Sequence, residues 1–227
     1  MHIKKIFFLI LIIGNFNTSF SQQFYRFSAE YTVKFKDKAG NPAMKMGKVF
    51  YDIKTKKIVI KNGFPVKEYV VHNDTSIYHI RVGNIVQHNR IISPVEFSIF
   101  HLALNGQLSN YGLDKAGYTI EKVQKDKGLV IASWVPLEKF QHNLGKILIS
   151  TKDKKLYGIV FLDLKEKIVS KHIFHKYVII DGFEFPSEVV RINYFDNYEL
   201  YELTTYRKIK VNETENDNFF NYPITEK

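Results

Sequence analysis

The chain has 227 residues, with 33 lysines and arginines against 23 aspartates and glutamates, and it contains no cysteine. The lack of cysteine excludes disulfides, thiolate metal sites and the lipid-modified cysteine of a bacterial lipoprotein. The formal net charge of +10 is dispersed over turns such as residues 54–57 and 152–155, a pattern typical of solvated strand ends. We therefore expect no nucleic-acid partner, because a binding stripe would cluster these charges.

The first residues, 1–21, have the pattern of a cleaved secretory signal peptide. Lys4 and Lys5 precede an apolar stretch over residues 6–13, and small serines stand near the end of the segment. The apolar stretch is shorter than the ~20 residues of a membrane-spanning helix, so we expect an exported, unlipidated protein. Residues 22–227 are predicted to form one domain, since all-β domains of this length are commonly single.

Residues 25–36 predict the first strand, because apolar and polar side chains alternate along them. Short extended segments separated by turn residues then recur along the chain, which predicts an antiparallel meander. A loop over residues 212–218 is predicted to lead to an aromatic tail, Phe219 and Phe220, that packs back on the sheet. The other segments expected to form strands are 45–53, 57–62, 66–71, 76–82, 118–123, 128–135, 146–150, 156–164, 168–180, 187–194 and 198–211.

One segment between the strands predicts a short helix over residues 94–104. Ser93 is a suitable N-cap, Pro94 suits the first helical position, and Glu96 completes a capping box. The residues that follow are apolar on nearly all sides up to a C-cap at Asn105. Such a helix cannot lie exposed to water, so we expect it to cover the apolar face of the sheet.

No arrangement of residues in the sequence predicts catalysis. The eight histidines show no metal-binding spacing, and His172 and His175, three apart in a predicted strand, point to opposite faces. Carboxylates are scattered, and neither a Gly-x-Ser-x-Gly nucleophile motif nor a glycine-rich phosphate loop occurs. We therefore expect a protein that is not an enzyme and needs neither metal nor cofactor, with a hydrolase built from dispersed residues as an alternative.

A series of short motifs accompanies the strands and the helix. In chain order they are the alternating strand and the segments 37–40, 47–51, 64–65, 70–74, 77–80 and 93–100. In this order they resemble the LolA/LolB-like superfamily of periplasmic lipoprotein carriers, the outer-membrane lipoprotein-sorting type, over most of the mature chain. Two features differ from that family: Lys54, Lys56 or Lys57 stands where LolA proteins keep a lid-holding arginine, and no amphipathic helix precedes the first strand.

The resemblance implies a mainly β (α+β) fold, a strongly curved, incomplete antiparallel β-barrel whose short helices plug the concave face over an apolar cavity. It also implies a periplasmic, non-enzymatic carrier or chaperone that binds the acyl chains of lipoproteins or lipids for delivery to the outer membrane. The partners expected for such a monomer are these acyl chains and membrane-associated donor and acceptor proteins. The alternative is an accessory subunit of an outer-membrane assembly that has this fold and no lipid cargo.

Apolar residues of the first two strands and of the helix are the candidate lipid-binding residues. Each buried methylene gains about 0.8 kcal/mol, so full burial of several acyl chains would be nearly irreversible. We therefore expect the helix to be a lid that opens at small net cost, although its apolar residues would equally suit an ordinary core. The predicted wall residues are Tyr25, Phe27, Tyr31, Val33, Phe35, Val49 and Tyr51, and the predicted lid residues are Phe97, Phe100, Leu102 and Leu104.

Overall fold

In the computed structural model, residues 23–36, 40–90 and 95–224 are described, and the expected signal peptide lies outside them. These residues contain 13 strands in one antiparallel sheet, the 3-10 helices Val95–Phe97 and Glu138–Phe140, and two short α-helices, α1 (Ile99–Leu104) and α2 (Asp217–Phe220). The strands are β1 Arg26–Lys36, β2 Pro42–Asp52, β3 Lys57–Phe64, β4 Glu68–Asn73, β5 Ser76–Arg81, β6 Asn84–Arg90, β7 Tyr118–Asp126, β8 Leu129–Pro136, β9 Ile147–Lys152, β10 Lys155–Leu162, β11 Ile168–Ile180, β12 Phe183–Tyr194 and β13 Glu199–Val211.

The sheet consists of two meanders joined side by side. Strands β1 to β6 form one meander and β7 to β13 the other, and the two are joined because β1 pairs with β13. The strand order β6-β5-β4-β3-β2-β1-β13-β12-β11-β10-β9-β8-β7 leaves β6 and β7 at opposite ends. The sheet is curled and unclosed, which confirms the predicted mainly β, incomplete antiparallel barrel.

Alternation of side chains gives the sheet two apolar faces. Phe27, Tyr51 and Ile58 lie opposite one another on β1, β2 and β3 and are at most 5 % exposed. We call their face, which α1 covers, the inner face. On the outer face the ring of Phe50 lies 5.5 Å from that of Phe220 in α2, so the aromatic tail packs on the sheet as predicted.

The predicted helix over residues 94–104 is divided in two. Ser98 separates the 3-10 helix Val95–Phe97 from α1, because its backbone is extended (φ −71°, ψ 147°). Its Oγ accepts a hydrogen bond at 3.3 Å from the backbone N–H of His101, which makes Ser98 the N-cap of α1. The helical segment therefore changes direction before α1 begins.

The C-terminal end of the helix lies where the sequence predicts it. Asn105 is the C-cap of α1, and its backbone N–H donates to the carbonyl of His101 at 3.1 Å. The predicted cap residues Ser93 and Pro94 lie outside the described residues. Within α1 the buried side chains are Phe100, Leu102, Ala103 and Leu104.

Strand β6 has no counterpart among the predicted strands. Its sequence, Asn-Ile-Val-Gln-His-Asn-Arg, shows no apolar alternation, and nearly all its side chains are exposed. It forms because its backbone pairs with β5, for example at Tyr78 and His88, whose rings stack at 4.5 Å. A strand held by backbone pairing at the end of a sheet leaves little periodic signal in the sequence.

Candidate functional site

Helix α1 is anchored to the inner face through aromatic contacts of Phe100. Its ring centroid lies 5.0 Å from that of Phe27 and 6.2 Å from that of Phe185, and it meets Tyr206 edge-on at 5.8 Å. Tilted, stacked and edge-to-face pairs of this kind each add about 0.5–1.5 kcal/mol beyond the burial of apolar area. Phe100 therefore belongs to the packed core that holds α1 on the sheet.

Two polar contacts also tie the helical segment to β2 and to the turn after it. The Tyr51 hydroxyl and His101 Nδ1 are 2.5 Å apart, and Lys56 Nζ lies 2.8 Å from Glu96 Oε1. Burial raises the pKa of Tyr51 and lowers that of His101, so both groups are neutral at pH 7. Among the three lysines proposed from the sequence to hold the helix, Lys56 is the one that contacts this segment within the described residues.

Most of the predicted wall and lid residues pack together where α1 meets the inner face. Leu102 is 1 % exposed and lies so close to Gly112 that a Cβ added there would be 2.9 Å from its Cδ2. For the residues that are packed in this core and do not line a cavity, contact with lipid remains a prediction that requires α1 to move. The cluster that α1 and the inner face form together contains Phe27, Tyr31, Val49, Tyr51, Phe100 and Leu104, with Val33 packed against it.

The two ends of the alternating strand lie apart from this cluster. Lys54 Nζ stands 5.1 Å from the ring centroid of Tyr25, and Lys45 Nζ stands 5.6 Å from that of Phe35. Both rings are half-buried, and neither belongs to the cluster that packs against α1. The structure therefore does not bring Tyr25 and Phe35 together with the other predicted wall residues.

An apolar cavity of about 600 Å³ lies between the helical segment and the inner face formed by β9 to β13. Small-molecule sites have volumes of about 300–1,000 Å³ and mostly apolar linings, so this cavity has the size of a binding site. Two predicted lid residues, Phe97 and Phe100, line it. The apolar residues that the strands contribute include Ile147, Phe161, Phe174 and Val189.

A turn-rich segment between α1 and β7 completes the cavity wall. Tyr111, Leu113 and Ala116 line the cavity, and the Ala116 backbone N–H donates to the Gly112 carbonyl at 3.1 Å. Gly112 has φ +67°, a conformation that favours glycine, and it leaves room for the Leu102 side chain. No regular apolar period runs through this segment, so its part in the cavity could not be predicted from the sequence.

Polar side chains gather around Arg191 in this otherwise apolar cavity. Arg191 on β12 lies opposite His172 on β11 and Glu202 on β13, and its Nη1 is 3.5 Å from Glu202 Oε2. Burial lowers the pKa of His172 to about 3, so the imidazole is neutral at pH 7. Burial raises the pKa of Tyr111 and of Tyr206, and both hydroxyls therefore keep their protons.

Two other depressions have more strongly charged linings. One of about 810 Å³, beside the C-terminal end of α1, includes Lys155, whose Nζ lies 2.5 Å from Glu184. The other, of about 1230 Å³, borders Phe219 of α2 and contains both Lys61 and Glu213. The apolar cavity of about 600 Å³, lined by Phe97 and Phe100, is therefore the best candidate for an apolar ligand.

The described residues offer no separate metal site. In those parts of the chain, no group of three or more histidines, aspartates and glutamates is placed to hold a metal ion. Within the same ranges, no helix is both long enough and apolar enough to cross a membrane.

The sequence matches no protein-family model and no curated protein. Solved structures with a similar fold include a LolA superfamily protein from Nitrosomonas europaea, with a TM-score of 0.57 and 8% identity over 86% of this chain and 90% of that one. A DUF1329 family protein from Desulfovibrio piger has a TM-score of 0.59 and 14% identity over 96% of each chain.

A putative outer membrane lipoprotein-sorting protein domain from Vibrio parahaemolyticus is also similar. It has a TM-score of 0.58 and 11% identity, and the match covers 86% of this chain and 89% of that one. Identities this low establish the fold alone. The chain thus has a LolA-like fold, which confirms the resemblance noted in its sequence.

Proposed function

We propose that this LolA-like half-barrel is a periplasmic, non-enzymatic carrier that binds acyl chains of lipids or lipid-modified proteins for delivery to the outer membrane. The observation that carries the proposal is the apolar cavity of about 600 Å³ between α1 and the inner face. Support also comes from similar structures, one of which is described as a putative lipoprotein-sorting domain. Membrane-associated donor and acceptor proteins are the partners that such a carrier requires.

The cavity has a volume suited to reversible binding. A water-sized group occupies about 30 Å³, so the cavity holds about 20 such groups, or roughly one long acyl chain. Each buried methylene contributes about 0.8 kcal/mol, and part of this gain offsets the loss of freedom on binding. A carrier needs this intermediate affinity, because a cargo that is held too tightly is not delivered.

Helix α1 is the element that we expect to move during loading. It contributes Ile99 and Phe100 to the cavity, and it covers Phe27, Val49 and Tyr51 on the first two strands. Displacing α1 would join that part of the inner face to the cavity and enlarge the apolar surface. The predicted wall residues would then meet cargo that extends beyond one chain.

Filling the cavity tests the proposal. Val189 lines the cavity, whereas the adjacent Val190 pairs with Ile173 and Leu203 and points to the outer face. We expect Val189→Phe to occupy the space of the ligand and to weaken binding of the apolar dye N-phenylnaphthylamine, measured by its fluorescence, at least about tenfold. Phe100 is less suitable for this test, because its polar substitution would disrupt the core.

The matched control is Val190→Phe, which should bind the dye as the unaltered protein does. Both variants should retain the melting temperature of a folded domain, since both valines are partly exposed. Equal binding by all three proteins would refute the cavity as the site. A wild-type protein that binds no dye and instead forms a stable complex with an outer-membrane protein would favour the accessory-subunit alternative.

A further inference from the structure

Arg191 is the one charged side chain among the described residues that line the apolar cavity. Because His172, Arg191 and Glu202 occupy directly opposed positions on β11, β12 and β13, their side chains project from the same face of the sheet. The charge of Arg191 acts on His172, whose pKa burial lowers first and Arg191 lowers further. A positive charge is thus placed beside an otherwise apolar space.

Several polar groups of the cavity lack hydrogen-bond partners among the described residues. The hydroxyls of Tyr111 and Tyr206 and the ring of His172 make no hydrogen bond to any of these residues, although the three side chains make aromatic contacts. None of these polar atoms is fully buried, so they face open space in which water or a ligand can satisfy them. Two phenolic hydroxyls and a neutral imidazole can all donate to an acceptor-rich group.

Arg191 itself is only weakly paired. Its Nη1 is 3.5 Å from Glu202 Oε2, longer than the 2.7–2.9 Å of a charge-assisted hydrogen bond, and its side chain is 51% exposed. The planar guanidinium therefore keeps donors available. Its fork of N–H groups matches the two oxygens of a carboxylate or of a phosphate.

We propose that the cavity binds a single-chain amphiphile with an anionic carboxylate or phosphate head, with the chain in the apolar part and the head bound by Arg191. This inference rests on the proposed function, because it requires the cavity to bind an acyl chain. Tyr111, Tyr206 and His172 donate further hydrogen bonds to the head. Glu202 competes with the head for Arg191 and keeps the affinity below its maximum.

The test compares ligands that share one tail and differ in the head. A long-chain fatty acid, the monoalkyl phosphate and the neutral alcohol of the same chain length are titrated to displace N-phenylnaphthylamine from the full mature chain. We expect the acid, the phosphate or both to bind about tenfold or more tighter than the alcohol, since hydrogen bonds to charged groups are the strong ones. The preferred anion distinguishes a fatty-acid source from a phospholipid source.

Substitution of Arg191 gives the second arm of the test. Arg191→Met should remove the preference for the anion, so that the acid and the phosphate bind to this variant no more tightly than the alcohol does. The matched control is Arg207→Met, which removes an equal charge from the outer face of the sheet and should preserve the preference. Arg207 lies on β13, opposite Glu30 of β1. Glu202→Gln should strengthen anion binding, because it removes the carboxylate that competes for Arg191.

The outcomes separate this inference from the proposed function. Equal affinities for the acid, the phosphate and the alcohol would overturn the inference and leave the carrier function intact. The same holds if Arg191→Met weakens all three ligands equally or if Arg207→Met abolishes the preference. Failure of every ligand to displace the dye would overturn both.

Discussion

At the scale of single residues, Gly47 shows how closely two strands approach in the curled sheet. The register of β2 and β3 shifts between Met46 and Gly47. A Cβ added to Gly47 would lie 2.2 Å from the carbonyl oxygen of Lys61, a distance that no side chain tolerates. Only glycine therefore allows the two backbones to keep this approach.

Gly47→Ala should lower the free energy of unfolding by more than about 2 kcal/mol, because β2 must move away from β3. The matched control is Gly63→Ala on β3, where the nearest atom to an added Cβ is 3.8 Å away. We expect that control to stay within about 0.5 kcal/mol of the unaltered protein. Urea unfolding of the three proteins measures both changes, and equal losses at the two positions would contradict the geometry.

Individual residues were predictable where a local pattern marked them. The alternation through Phe27 and Tyr31 identified buried residues of the inner face correctly. The cavity residues Phe161, Val189 and Arg191 were not identified, because β10 and β12 are distant in sequence from the helical segment that they face. These residues lie near the helical segment because of the order of the strands in the sheet. A local periodic pattern carries no information on that order.

At the scale of elements, the helical segment is the part whose attachment can be altered most selectively. Lys56 on the turn after β2 bonds Glu96 in the 3-10 helix at 2.8 Å, and both side chains are exposed enough to be replaced without disturbing the core. The contact links the 3-10 helix to the turn after β2 at the surface of the molecule. It is therefore expected to affect opening more than folding.

Lys56→Met should increase the rate of amide hydrogen exchange in α1 by about two- to fivefold, since one surface ion pair contributes modestly to closure. Glu96→Gln should have a similar effect, and combining the two should add little. Lys167→Met is the matched control, because Lys167 also forms an exposed 2.8 Å pair, with Asp196. Faster exchange of α1 in that control, or none in Lys56→Met, would show that the pair does not restrain the helix.

The elements themselves were predictable to different degrees. The run of apolar residues within 94–104 located the helix correctly. It did not predict the extended backbone of Ser98, which divides the helix in two. Strand β12 begins at Phe183 rather than 187, so it includes Pro186, a residue that usually argues against a strand interior. Strand β6 and the turn segment that includes Tyr111 lack periodic apolar patterns, and only the assembled sheet explains their positions.

At the scale of the whole molecule, the pairing of β1 with β13 joins two meanders into one unclosed sheet. Phe27 lies opposite Val211, and contacts so distant along the chain are invisible to local sequence patterns. The resemblance to LolA-like proteins did anticipate this curved architecture, and similar solved structures confirm the fold. The single-domain organisation and the cleaved signal remain predictions.

We expect the apolar cavity of about 600 Å³ to hold lipid. The most direct measurement is the intact mass, under non-denaturing conditions, of the protein secreted by a didermal bacterium and purified without detergent. We predict an adduct with the mass of a single-chain lipid, which is lost on unfolding and absent from Val189→Phe. A wild-type protein with the mass of its polypeptide alone, which also takes up no lipid on incubation, would contradict the claim.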